Sequence, residues 1–213
     1  MSAKDLHIET LVLGPLETNC YLLRSGGDCW VVDPAWPGVL PGRLRKAGLA
    51  PGRILLTHAH ADHTAGAAEL KKAWPDCPLC CPVGDAELLQ DPSGNLSALF
   101  FPHLAVPPAD EVLRPGQVLP LGSTRWEVLD TSGHTPGGVS YHCAEAGVVL
   151  TGDALFAGGI GRTDFPGGDT ERLIESIRRR LLTLPDGTKV LAGHGPASTI
   201  GEERKSNPFL AGA

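Results

Sequence analysis

The stretch Arg53–His63, RILLTHAHADH, places a short apolar run directly before three histidines and an aspartate. In an extended chain, residues two apart point to the same side, so His58 and His60 are expected to face one way at the end of a strand. Imidazole and carboxylate groups are ligands that suit zinc, iron or manganese. A chance cluster on a solvated loop is the competing interpretation of such a short motif.

Asp62 and His63 stand at the expected start of a helix over residues 62–74, where aspartate is a favoured cap. The turn into this helix would direct their side chains away from those of His58 and His60. The spacing therefore predicts two metal positions, one on each side of the turn.

Composition and charge narrow the functional class. The chain has 213 residues, enough for one sizeable α/β domain, which we expect to span 1–213. The net charge of -6, with no block rich in Lys and Arg, argues against nucleic acid or an anionic membrane as partner. No apolar stretch approaches the ~18 residues that span a bilayer, and the amino terminus has no apolar signal core, so we expect a cytoplasmic protein.

The six cysteines are expected to be reduced and mostly buried, as is usual in the cytoplasm. Cys77 and Cys80 form a C-x-x-C motif next to Cys81, but no second pair with matching spacing completes a zinc site. The sequence assigns no role to these three thiols.

Apolar runs between Gly- and Pro-containing turns predict the remaining elements. Phe100 and Phe101 lie in a stretch, 91–110, that reads either as a functional loop or as a covering loop. The predicted strands and helices suggest helices on the outer faces of two packed sheets. They are strands within 8–32, 53–57, 78–83 and 117–151, helices over 38–48, 85–90 and 170–184, and a last strand Lys189–Ala192.

Three further candidate ligands follow glycine at the ends of expected strands or just beyond them. They are His134 after Gly133, Asp153 after Gly152, and His194 after Gly193. Glycine lets the backbone turn tightly and approach an ion closely. A lone histidine is usually structural, but three such pairs after an H-x-H-x-D-H cluster are improbable by chance.

The cluster and the three glycine–ligand pairs resemble the metallo-β-lactamase superfamily over essentially the full chain. The resemblance implies an α/β fold, a four-layer αββα sandwich with a dinuclear site at one edge of the sheets. It assigns His58, His60 and His134 to the first metal, Asp62, His63 and His194 to the second, and Asp153 to the bridge. Zinc is the expected metal, with iron and manganese as alternatives, and Asp62 and Asp153 would lower the charge of the pair and fix its geometry.

Two cations about 3.5 to 4 Å apart lower the pKa of a shared water toward about 7, so the expected nucleophile is a metal-bridging hydroxide. The same cations stabilise the oxyanion that forms when a carbonyl is attacked. Thr57, Asp33 and Asp164 are the candidates by position for orienting the imidazoles. Several true β-lactamases carry a cysteine where this chain has Asp153, which argues against antibiotic hydrolysis.

Residues 152–169, GDALFAGGIGRTDFPGGD, and the tail 193–209 are similar to the glyoxalase II group, especially its short bacterial members. That similarity implies hydrolysis of the thioester S-lactoylglutathione to D-lactate and glutathione. Arg162 would then contact the glutathione moiety, unless it only packs on its loop. We expect no carboxy-terminal helical glutathione-binding domain; Arg204 and Lys205 could replace part of it, or the pocket could be more open.

Two other functions fit the same residues. A persulfide dioxygenase would hold a single iron at His58, His60, His134 and Asp153 and activate dioxygen on glutathione persulfide. A non-catalytic metal-binding protein would close its coordination sphere with four protein ligands. The sequence does not indicate an oligomeric state.

Overall fold

The computed structural model describes residues 5–101 and 104–210, without the side chain of Phe100. The first of two large sheets has the strand order β1-β2-β3-β4-β5-β6. The first three strands pair antiparallel and the others parallel. The strands are β1 (His7–Leu13), β2 (Thr18–Ser25), β3 (Asp28–Val32), β4 (Arg53–Leu55), β5 (Leu79–Pro82) and β6 (Glu111–Leu113).

The second sheet has the order β14-β13-β10-β9-β8-β7, in which only β10 and β13 run parallel. A two-stranded hairpin, β11 (Leu155–Phe156) and β12 (Gly159–Ile160), lies outside it. The strands of the second sheet are β7 (Val118–Leu121), β8 (Thr124–Asp130), β9 (Val139–Cys143), β10 (Val148–Gly152), β13 (Lys189–Ala192) and β14 (Ser198–Thr199).

Helices cover the outer faces of both sheets. The helices are α1 (Leu40–Lys46), α2 (Ala61–Thr64), α3 (Ala67–Ala73), α4 (Ser97–Phe100), α5 (Thr170–Ser176) and α6 (Ile200–Ser206), with short 3-10 turns at Leu88–Gln90 and Ala144–Ala146. No helix in the described ranges is both long enough and apolar enough to cross a bilayer.

Strand side chains alternate between two apolar layers, as expected for a sheet buried on both faces. On β3, Trp30 packs toward the second sheet, 6.5 Å from the ring of Trp126, while Val31 packs under the helices that include α1. A third apolar layer joins the second sheet to α5 and α6. These layers confirm the predicted αββα sandwich of the α/β class.

The predicted helix over 62–74 is wrong in two respects. It is broken into α2 and α3, and His60 rather than Asp62 is the residue before its first turn. The break lies at Gly66, whose N–H donates to Pro34 O at 2.6 Å; a Cβ there would lie 2.6 Å from the same oxygen. Close passage of the loop after β3 therefore ends the first helix.

Other predicted elements also differ, and of the helix expected over 85–90 only a 3-10 turn at Leu88–Gln90 is present. The helix expected over 170–184 is α-helical only to Ser176 and continues as a wider π turn at Ile177–Leu181. Lys189–Ala192 is a strand as predicted, but it is not the last element, because β14 and α6 follow. Thr199 caps α6 by accepting from the N–H of Glu202, a Thr-x-x-Glu capping pattern that the sequence contains.

Candidate metal centre

The first group of ligand atoms comes from two loops. His58 and His60 follow β4, and His134 lies in the loop after β8. One ligand atom from each of the three lies within 4.8 Å of the others. All three side chains are buried, and His134 Nε2 stands 2.9 Å from His60 Nδ1.

The second group contains Asp62, His63 and His194, whose ligand atoms also lie within 4.8 Å of one another. Asp62 Oδ2 is 3.2 Å from His194 Nε2 and 3.6 Å from His63 Nε2. Asp62 and His63 belong to α2, whereas His194 follows β13. The turn between His60 and α2 thus separates the two groups, as the spacing predicts.

Asp153 lies between the groups. Its Oδ1 is 3.2 Å from His63 Nε2, and its Oδ2 is 3.6 Å from His134 Nε2 and 3.5 Å from His194 Nε2. Asp153 and His194 follow β10 and β13, which are parallel neighbours, so the two residues leave the same edge of the sheet. The structure therefore brings all seven predicted ligands into one cluster.

The unpaired atoms of this cluster show whether a cation fits. His58 Nε2 and His60 Nε2 are buried and have no hydrogen-bond partner within the described ranges, and the buried His63 Nε2 and Asp153 Oδ1, although 3.2 Å apart, lack the angles of a hydrogen bond. Buried polar atoms are nearly always paired, and an unpaired one costs free energy. Three imidazole nitrogens and a carboxylate oxygen left together in this way are the donor set that divalent cations such as zinc bind. The residues present fit the ions that the resemblance implies.

Burial sets the protonation of His58 and His60. It lowers the pKa of His58 well below the usual value and, together with the nearby His134, lowers that of His60 to about 3. Both imidazoles are therefore neutral, the form that binds a metal. Burial would also lower the pKa of His63, but Asp62, Asp153 and Asp33 raise it well above its usual value. A cation would take the place of that positive charge.

Asp33, the residue after β3, orients the second group. Its Oδ1 accepts from Thr57 N at 2.8 Å, and its Oδ2 accepts from Thr57 Oγ1 at 2.7 Å and from His63 Nδ1 at 2.9 Å. With Nδ1–H donated to Asp33, His63 presents Nε2 to the cluster. Thr57 Oγ1 also lies 3.1 Å from His58 Nδ1. Asp33 and Thr57 thus stand where the sequence places orienting groups.

Asp164 does not orient an imidazole, so that prediction is wrong. Its carboxylate instead accepts two hydrogen bonds from Arg162, Nε to Oδ1 and Nη2 to Oδ2, both at 2.6 Å. The main-chain oxygen of Arg162 performs the predicted role by accepting from His134 Nδ1 at 2.6 Å. Leu16 O likewise accepts from His194 Nδ1 at 3.0 Å.

Sequence reasoning missed Asp85. Its side chain accepts from Ala59 N at 3.0 Å and Gly137 N at 2.6 Å, so it ties the loop between His58 and His60 to the loop after His134. Burial raises the pKa of this carboxyl group. Gly84 and Asp85 follow β5, the same pairing of glycine and acid at a strand end that marks Asp153, and that signal could have found the residue.

The glycines before the ligands leave no room for a side chain. A Cβ on Gly193 would lie 2.2 Å from Asp153 Oδ1, and one on Gly152 would lie 2.4 Å from Thr57 Oγ1. Gly152 also has a left-handed φ of +48°, which favours glycine. Both glycines are therefore required by close approach of the backbone to the centre.

A cavity of about 420 Å³ opens beside the cluster. Five of the seven predicted ligands line it: His60, Asp62, His134, Asp153 and His194. Most of the remaining lining is apolar and comes from Leu16, Ala61, Leu96, Phe101, Phe156, Ile160 and Phe165. Phe101 thus brings the predicted 91–110 loop to the cavity, although residues 102–103 and the Phe100 side chain are outside the described part. Such a volume with convergent polar groups is typical of a small-molecule site.

Arg162 also lines the cavity, with 59% of its side chain exposed. Its guanidinium group lies 4.1 Å from the centroid of the Phe165 ring.

The cysteines are all buried and free, and burial raises the pKa of Cys77 to about 12 and that of Cys80 to about 11. No cysteine belongs to a candidate metal group in the described part of the chain.

The profile of the metallo-beta-lactamase superfamily matches residues 13–194. The chain is 41% identical over 202 residues to the probable metallo-hydrolase YqgX of Bacillus subtilis, covering 94% of this chain and 95% of that protein. It is 36% identical over 208 residues to the hydroxyacylglutathione hydrolase GloC of Haemophilus influenzae, covering 96% and 98%. The chain therefore belongs to the metallo-beta-lactamase superfamily.

Solved structures agree on the fold. BLEG-1, a B3 metallo-beta-lactamase, matches with a TM-score of 0.89 at 37% identity, covering 97% of this chain and 100% of that one. TTHA1623, solved in a di-iron-bound form, matches with a TM-score of 0.82 at 39% identity, covering 95% and 100%. ETHE1 from Myxococcus xanthus matches with a TM-score of 0.79 at 28% identity, covering 97% and 85%. Together with the His/Asp cluster, these matches identify a divalent-metal-binding member of a metallo-hydrolase superfamily.

Proposed function

We propose that this protein is a metal-dependent thioester hydrolase that converts S-lactoylglutathione, or a related hydroxyacylglutathione, to the hydroxy acid and glutathione. The observation that carries the proposal is the convergence of seven ligand side chains beside a cavity large enough for a small molecule. Similarity to GloC, named as a hydroxyacylglutathione hydrolase, supports the substrate class. The αββα unit forms this cavity from its own loops, which supports a single domain, 1–213, as sufficient for the activity.

We assign His58, His60 and His134 to one cation and Asp62, His63 and His194 to the other. Asp153 is assigned to both, because its carboxylate lies between the groups, with Oδ2 3.6 Å from His134 Nε2 and 3.5 Å from His194 Nε2. When bound, two divalent cations supply Lewis acidity toward the thioester carbonyl and a water activated near neutral pH. Zinc is the metal we propose, and the di-iron form of TTHA1623 supports iron as the alternative.

The protein's own groups hold the site in place. Asp62 and Asp153 supply the negative charge that offsets the cations, and both stand on the wall of the cavity. Thr18 Oγ1 donates to Asp62 Oδ2 at 3.1 Å, which fixes that carboxylate beside His194. Arg162 is our candidate for contact with the glutathione moiety, since its guanidinium group lines the same cavity.

A persulfide dioxygenase is the second candidate, favoured by the likeness to ETHE1. A single iron at His58, His60, His134 and Asp153 would leave the three ligands of the second group without a metal. The tight grouping of Asp62, His63 and His194 supports the hydrolase instead. A non-catalytic metal protein is the third candidate, and the cavity open beside the ligands weighs against it, because structural sites are closed.

Elemental analysis of the purified protein, combined with assays on three substrates, tests the proposal. We expect about two metal ions per chain, as in dinuclear hydrolases, and hydrolysis of S-lactoylglutathione that is lost with a chelator and restored by zinc. Oxygen consumption with glutathione persulfide by a single-iron protein would favour the dioxygenase. Similarity to BLEG-1 makes a β-lactam the third substrate to include. Thioesterase activity that survives complete chelation would refute metal dependence.

A further inference from the structure

The cavity beside the metal centre has an aromatic ring at each of two ends. The Phe156 ring lies 6.2 Å from that of His194, and the Phe165 ring lies 5.9 Å from that of His60. His194 and His60 belong to different ligand groups. The two phenylalanines therefore stand beside different ligand groups of the centre, and a thioester placed across both groups would reach both rings.

The two ends differ in charge. Arg162 lies over the Phe165 ring, and among the described cavity-lining residues it is the one charged side chain outside the centre. At the other end, Leu16 and Phe156 both lie beside His194, since the main-chain oxygen of Leu16 accepts from His194 Nδ1 and the Phe156 ring lies next to the His194 ring. We call the Leu16–Phe156 side the apolar end and the Arg162–Phe165 side the charged end.

The apolar end is held in place from behind by α6. Glu203, a buried carboxylate, accepts from Gly158 N at 2.9 Å and from Asn207 Nδ2 at 2.8 Å. Asn207 Nδ2 also donates to Gly159 O at 3.0 Å. These bonds fix the turn of the β11–β12 hairpin that carries Phe156. A preformed apolar surface loses little conformational freedom when a ligand covers it.

From this asymmetry we propose that the apolar end binds the acyl group and the charged end binds the thiol carrier, so the enzyme prefers apolar acyl chains to lactoyl. The inference rests on the proposed thioester hydrolase function. Leu16 is 43% exposed, so it has apolar surface for a chain to cover. Among the described cavity-lining side chains, none at this end besides the ligands themselves offers the hydroxyl of a lactoyl group a polar partner, and burying it unpaired is unfavourable.

The reaction itself is unchanged by this preference. The acyl carbon–sulfur bond breaks and a bond forms between that carbon and the oxygen of water. One proton of the water is transferred to the departing sulfur to give the thiol, and the other is lost from the carboxylic acid to solvent. Within the series of unsubstituted acyl chains, the substrates differ mainly in the free energy of binding the chain, so the preference is expected in kcat/KM.

The test is a chain-length series on the zinc-loaded protein. We expect kcat/KM for S-acetyl-, S-butyryl- and S-hexanoylglutathione to rise by about fourfold per added methylene, and S-lactoylglutathione to fall below butyryl. Phe156→Ala is expected to flatten the series. Phe165→Ala is the matched control, since it removes the same ring at the charged end and should keep the chain-length dependence.

Binding gives a readout that does not depend on turnover. Calorimetric Kd values for S-methyl-, S-butyl- and S-hexylglutathione, which are thioethers and cannot be hydrolysed, should follow the same order and lose it in Phe156→Ala. Leu16→Ala, in an exposed turn, is the second variant if Phe156→Ala does not fold, and it should weaken the dependence as well.

A flat series in the wild-type protein, or equal flattening by Phe156→Ala and Phe165→Ala, would overturn this inference and leave the hydrolase function intact. Hydrolysis of no thioester by the metal-loaded protein would overturn the proposed function, and the inference with it.

Discussion

Replacing Asp33 by asparagine should remove one metal ion and leave the other. Asp33 has a left-handed φ of 51°, which asparagine tolerates nearly as well as aspartate, so the substitution changes the side-chain chemistry without straining the backbone. The asparagine oxygen can still accept from Thr57 N. The new NH₂ group, however, would face the N–H that His63 Nδ1 now donates to the carboxylate at 2.9 Å.

Two responses to that conflict are possible, and both harm the site. If His63 keeps its proton on Nδ1, a buried donor loses its partner, which costs about 1–3 kcal/mol. If the proton moves to Nε2, the atom that faces Asp62 and Asp153 can no longer bind a metal. Loss of such an orienting partner lowers metal affinity by about 10- to 100-fold.

The assay is metal content after dialysis, together with competition against a chelator of known affinity. We expect about one ion per chain in Asp33→Asn where the wild type holds about two, with the weakened site being the group of Asp62, His63 and His194. Asp164→Asn is the matched control, because that carboxylate is 66% exposed and contacts no imidazole. Unchanged stoichiometry and affinity in Asp33→Asn would refute the reasoning about His63.

The other predictions concern the close backbone contact at Gly193, the support that α6 gives to the cavity wall, and Arg162 at the edge of the cavity. Gly193→Ala would place a Cβ 2.2 Å from Asp153 Oδ1, so metal content should fall and the free energy of unfolding in denaturant should drop by about 1–3 kcal/mol. Gly187→Ala is the control, because nothing surrounds that position, and its free energy of unfolding should stay within about 0.5 kcal/mol of the wild type. Glu203→Gln would turn an amide NH₂ toward donors on Ser198, Gly158 or Asn207 and so loosen the hairpin of the cavity wall. KM should therefore rise while metal content is unchanged. An unaltered KM would show that α6 does not position the cavity wall. Arg162→Ala should raise KM for glutathione thioesters more than for small acyl thioesters in steady-state kinetics, and equal effects would make Arg162 structural.

The clustering of the seven candidate ligands could be predicted because their signals are short in sequence. Four of the side chains lie within the six residues of the H-x-H-x-D-H cluster. The other three each directly follow a glycine, at 133, 152 and 193. Parallel strands then bring distant strand ends to one edge of a sheet, which is why Asp153 and His194 meet. The strand Lys189–Ala192 could be predicted for a similar local reason, because it is an apolar run bounded by turn residues.

The errors depend on contacts between distant parts of the chain. The helix break at Gly66 is caused by Pro34, and nothing within 62–74 except the glycine itself points to it. Asp164 is close in sequence to the main-chain oxygen that orients His134, but its side chain turns to Arg162. The missed helix α6 is different, because its Thr199-x-x-Glu202 cap was present in the sequence and could have indicated it.

Titration of the metal-stripped protein with zinc, with S-lactoylglutathione hydrolysis followed at each addition, tests the dinuclear centre most directly. The proposed assignment of seven ligands to two metal positions predicts that activity rises through the second equivalent and is constant after it. Full activity without metal, or saturation at a single equivalent, would contradict the assignment of His58, His60, Asp62, His63, His134, Asp153 and His194 to a two-metal hydrolase site.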